Sequence, residues 1–89
     1  MHEMGVANSI LVAVQQELDL YPGRRAAKIA VRIGEYAGVD PDSLQFCFEA
    51  LVKGTDLEPL ELAIEWLPAS EALDLAYLEM EDVETEVSV

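Results

Sequence analysis

The amino-acid sequence predicts an α/β (α+β) domain in which two helices pack on one face of a small three-stranded mixed sheet. Three observations predict it. Two stretches place apolar residues at the 3.6-residue period of a helix, and three shorter ones alternate with the period of two that marks a strand. Their order along the chain is helix, strand, helix, strand, strand, and 89 residues suit one domain with one modest core.

The first helix is expected from Met4 to Leu20, where Ala7, Ile10, Leu11, Val14 and Leu18 form one stripe. Tyr21-Pro22-Gly23 ends it, because proline cannot continue the backbone ladder and glycine accepts the turn. A strand follows from Lys28 to Gly34, with Ile29, Val31 and Ile33 on one face and Lys28, Ala30 and Arg32 on the other. Gly34 and Gly38 are read as shaping the loop after it. Asp40 is the expected cap and Pro41 the first residue of a second helix, striped by Leu44, Cys47, Phe48 and Leu51 and stopped by Gly54.

Leu60, Leu62, Ile64 and Trp66 alternate with polar or small residues and predict a second strand closed by Leu67-Pro68. After a tight connection, Leu73 to Met80 predicts a third strand whose alternation Leu78 interrupts. If the first two strands are parallel neighbours, the second helix makes a right-handed crossover, and the last two strands are close enough in sequence to pair antiparallel. The core expected from these faces is Ile10, Leu11, Val14, Ile29, Val31, Ile33, Leu44, Phe48, Leu51, Leu62 and Ile64, with Cys47, Trp66 and Tyr77 read as packing groups.

Charge narrows the range of functions. Eighteen carboxylates against five Lys and Arg give a formal charge of −13, which repels nucleic acid and anionic membrane. Eleven acidic residues and no Lys or Arg fall between Asp56 and Glu86, whereas Arg24, Arg25, Lys28 and Arg32 cluster earlier. No apolar run reaches the ~20 residues of a membrane span, and the first residues lack a signal-peptide pattern, so the expected compartment is cytoplasmic. Cys47 is the single cysteine, too few for a disulfide or for a structural zinc site.

The one histidine is His2, so neither a nucleophilic triad nor a His-pair metal site can be assembled, and no enzyme activity is expected. His2 nevertheless belongs to a compact donor set. The amine of Met1, the amide and imidazole nitrogens of His2 and the amide nitrogen of Glu3 lie within three residues. Four nitrogens in a plane suit Ni(II) or Cu(II), with copper the stronger competitor, and amide nitrogens bind such ions only after losing a proton. Initiator methionine is trimmed before small residues, and histidine is large, so Met1 is expected to persist with its amine free.

Met1-His2-Glu3-Met4 followed by Ala7-Asn8-Ser9-Ile10 is similar to the start of HypA/HybF hydrogenase nickel-insertion proteins. Val31-Arg32-Ile33-Gly34-Glu35, Gly38-Val39-Asp40-Pro41 and Leu44-Gln45-Phe46-Cys47-Phe48-Glu49 resemble that family's central region, and Leu62-Ala63-Ile64-Glu65 through Pro68 its next strand. The resemblance runs from residue 1 to about 68 and resumes from Leu73 to Glu81. It implies a nickel site at Met1, His2 and Glu3, with His2 indispensable. It also implies Ni(2+) as cargo, the large subunit of a nickel-iron hydrogenase as client, and a maturation GTPase as helper.

The family also carries a zinc ribbon of two Cys-x-x-Cys pairs after the strand that ends near Pro68. Here four residues join Pro68 to Leu73, so no zinc site is expected and the join is read as a hairpin. Residues 1–81 are then a HypA-like nickel-binding domain without its zinc module, and residues 82–89 an acidic tail, either an edge strand or mobile. The alternative is a metal-free scaffold or interaction subunit that keeps this fold to bind a hydrogenase or maturation partner. A homo-oligomer is left open.

Overall fold

The computed structural model describes residues 2–83. It contains α1 (Glu3–Leu20), β1 (Arg24–Gly34), α2 (Pro41–Val52), β2 (Glu61–Leu67) and β3 (Leu73–Asp82). The α+β class, the two helices and the three-stranded mixed sheet are as predicted. Tyr21 follows the last residue of α1, and Gly23 takes the turn at φ 85°. Asp40 caps α2, its carboxylate accepting the N–H groups of Asp42 (3.0 Å) and Ser43 (3.4 Å).

One expectation is overturned. The last two strands do not pair with each other: the sheet order is β2-β1-β3, with β1 parallel to β2 and antiparallel to β3. The join after Pro68 is therefore not a hairpin but a crossover past the end of β1.

The distribution of charge accounts for the choice. A β2–β3 hairpin would set acidic strands side by side, whereas β1 holds four of the five basic residues and separates them. Arg24 pairs with Asp82 (3.3 Å) and Arg25 with Glu81 (2.9 Å), while Arg32 reaches both Glu65 (3.5 Å) and Asp74 (3.1 Å). Lys28 stands in register between Glu61 and Glu79. Each exposed pair is worth no more than about 1 kcal/mol, but the alternative gives up these pairs and brings the carboxylates of two acidic strands together. The central place also lets β1 bury more of its residues than either edge strand, since Ala26, Ile29, Ala30, Val31 and Ile33 are all buried.

Two bulges make β1 and β3 depart from plain alternation. Register shifts fall between Ala26 and Lys28 and between Ala30 and Val31. The first hides the alternation of Arg24 to Ala27, so β1 begins earlier than the expected Lys28. The second leaves Ala76 without a partner in β1, so Leu73, Leu75 and Leu78 all stand opposite helix-facing residues of β1. That is why Leu78 breaks the period of two.

Of the expected core, Ile10, Val14, Ile29, Val31, Ile33, Leu44, Phe48 and Leu62 are buried, and Leu11, Leu51 and Ile64 pack against them partly exposed. Cys47 also packs half-buried against this core. Ala7, Ala26, Val39, Val52 and Leu60 complete it. Trp66 and Tyr77, read as packing groups, are 48% and 44% exposed. Both lie on edge strands, which have a sheet neighbour on one side only. Asp82, the first residue of the acidic tail expected at residues 82–89, closes β3, and residues 84–89 lie outside the described residues.

Candidate metal site at the start of the first helix

Topology gathers several elements at one end of the sheet. The tight turn after α1 makes it antiparallel to β1, so the start of α1 lies near the end of β1. The loop into α2, the end of β2 and the start of β3 meet there too, because β2 runs parallel to β1 and β3 antiparallel. Glu3 shows the convergence directly: its carboxylate accepts the backbone N–H of Asp40 at 3.4 Å, tying the first turn of α1 to the cap of α2. No sequence period signals a contact between residues so far apart.

His2 is the N-cap of α1, with an extended backbone (φ −82°, ψ 106°), and its carbonyl accepts the N–H of Val6 at 3.1 Å. Its imidazole makes no capping hydrogen bond and is exposed. Glu3 is the first helical residue, and the first N–H groups of a helix have no acceptor one turn earlier. Binding a metal through the Glu3 amide nitrogen would therefore break no helical hydrogen bond. The positive end of the helix dipole also favours the negative charge left by proton loss.

Met1, the remaining member of the expected set, lies outside the described residues. Among the described residues no three His, Cys, Asp or Glu side chains gather closely enough to hold a metal ion. The nitrogen donors present at this helix start among the described residues are the His2 imidazole and the backbone amides of His2 and Glu3.

The crossover closes the same end. Gly34 N–H donates to Ala72 O (2.7 Å), Glu35 N–H to Leu67 O (2.9 Å) and Tyr36 N–H to Ser70 O (2.7 Å), while the Glu35 carboxylate accepts the Ala69 N–H (2.9 Å). Ala69 takes a left-handed backbone, φ 53°, to make the bend. A Cβ on Gly34 would overlap the Ser70 carbonyl and stand 2.8 Å from Ala72 N. Glycine is thus needed at this position for close approach of the crossover, beyond the loop-shaping role read from sequence. Gly38, at φ 75°, does shape the loop.

These features define a class: a small α+β domain whose one imidazole and first helical amides stand together at one end of the sheet. The family model for "Hydrogenase/urease nickel incorporation, metallochaperone, hypA" matches residues 1–86, and the chain belongs to this HypA family. Proteins named hydrogenase maturation factor HypA are similar to it. That of Chlorobium limicola is 42% identical over 69 residues, covering 78% of this chain and 60% of the relative. That of Geobacter metallireducens is 38% identical over 68 residues, covering 76% and 59%. That of Streptomyces avermitilis is 42% identical over 69 residues, covering 76% and 53%. The chain thus matches about 60% or less of the length of these relatives.

Proposed function

We propose that this chain is a nickel metallochaperone of hydrogenase maturation, not an enzyme, working in the cytoplasm. It holds Ni(II) as cargo through the Met1 amine, the His2 imidazole and the backbone nitrogens of His2 and Glu3, and hands it to the large subunit of a nickel-iron hydrogenase with a maturation GTPase assisting. Residues 1–81 form the nickel-binding domain. The observation that carries the reading is the placement of His2 as an exposed cap beside the first amide of α1, which has no carbonyl one turn earlier in the helix. The family's nickel-incorporation description supports it. No helix among the described residues is long and apolar enough to cross a membrane.

Binding requires the Met1 amine to be free. Titrating Ni(II) into tag-free protein, with heat and the d–d absorption band followed together, tests this. One ion per chain with a square-planar spectrum is expected, lost in His2→Ala and in a form extended at the amino terminus. Binding no stronger than that of His2→Ala sinks the proposal. The alternative, a metal-free scaffold, is favoured by one observation, the half-exposed Leu73 and Leu75 beside α1, and it predicts unchanged partner binding in both altered forms.

A further inference from the structure

The helices leave a groove open along β3. Near the start of α1 it holds about 640 Å³ between Val6 and Ile10 of the helix and Leu73 and Leu75 of the strand, and His2 and Asp74 border it. Leu75 also lines a second stretch of about 480 Å³ that continues toward Met80. Leu73 and Leu75 are 39% and 44% exposed, and a Cβ on Gly5 would meet nothing within 4 Å.

Two further features say what fits there. β3 is an edge strand, so among the described residues its outer N–H and C=O groups have no strand partner. The charge is one-sided: β3 carries Asp74, Glu79, Glu81 and Asp82 and no Lys or Arg, and although Asp74, Glu81 and Asp82 meet arginines of β1, the chain keeps a net charge of −13. A second copy or an anionic lipid surface would meet repulsion, and a cationic segment attraction.

We propose that the β3 edge and this groove receive an extended segment of a partner protein, with Lys or Arg alternating with apolar residues. Its backbone pairs with the outer edge of β3, its apolar side chains point into the groove beside α1, and its cations face the acidic side chains of β3. Because His2 borders the groove, the partner is the protein that exchanges nickel with this chain. That last step rests on the nickel reading, whereas the docking does not.

The test is an NMR titration of the metal-free, isotope-labelled chain with a blocked heptapeptide alternating valine and lysine. The expected result is amide shifts confined to the first half of α1 and to β1 and β3. Binding should weaken at least about tenfold in Leu75→Glu, in Ser9→Phe, which fills the groove from the exposed helix side, and with a serine-lysine peptide of equal charge. Unaltered circular dichroism checks that each variant folds. Equal binding of the serine-lysine peptide, shifts along β2, a helical bound peptide, or self-association through Leu75 overturns the proposal. Glu3→Pro, at a residue that does not line the groove, should keep the peptide while losing nickel; a wild-type chain that binds peptide but no nickel overturns the assignment of the partner alone.

Discussion

Gly34, the last residue of β1, lies against the carbonyl of Ser70 so closely that any side chain there would collide with it. The four-residue crossover and the glycine beneath it form one structural unit. Gly34→Ala should therefore destabilise the domain by about 1–3 kcal/mol, the range for forcing an extra carbon into a packed site. Urea unfolding measures it. Lengthening the connection between Ala69 and Ser70 should recover part of the loss, since a longer crossover can lift away from β1. Additive effects of the two changes would refute the coupling.

Arg32 bridges both edge strands, so its loss touches two ion pairs at once. At about 42% exposure of its side chain, Arg32→Ala should cost only about 0.5–1 kcal/mol. Arg32→Glu should cost more, because three carboxylates would then share one row, and the difference between the variants should shrink in 1 M salt. A salt-independent difference would assign the effect to packing.

The proposed site uses the Glu3 amide rather than its carboxylate, and two substitutions separate these. Glu3→Ala should retain Ni(II) binding, losing only the long hydrogen bond from Asp40. Glu3→Pro removes the amide proton at the one helical position where proline is well tolerated, so the fold should persist while nickel binding is lost. Circular dichroism and the d–d band read the two effects independently. Retained square-planar binding in Glu3→Pro would eliminate this donor.

Each amide nitrogen must release a proton before it binds, so affinity should rise with pH. With both amides engaged, the apparent association constant should climb by up to about 100-fold per pH unit above the titration range of an α-amino group, about pH 8, and more steeply below it, where the Met1 amine also gives up a proton. Calorimetry in buffers of different ionisation heat counts the protons. A pH-independent affinity above the titration range of free imidazole would argue against amide coordination.

Removing the cap of α2 should be felt in stability: Asp40→Ala is expected to lower it by about 1 kcal/mol. The side chain satisfies two otherwise unpaired N–H groups, those of Asp42 and Ser43. Asp40→Asn, which keeps an acceptor oxygen, should recover most of the loss in thermal unfolding.

Local chemistry by itself determined much of this protein. Pro22-Gly23 and Asp40-Pro41 mark the end of one helix and the start of the next because their backbone preferences act within a few residues. The alternation around Ile29, Val31 and Ile33 marks the buried face of β1, and the nitrogen donors at His2 and Glu3 are inherent in their order in the chain. Tertiary structure decided what depends on distant partners. It seated β3 beside β1 rather than β2, since the gain comes from rows of opposite charge that no local pattern records. It placed the bulges that hide the first residues of β1 and shift Leu78 out of phase. It also brought Glu3 to Asp40 and the crossover onto Gly34, because only packing of the whole chain sets the distance between segments separated by more than thirty residues.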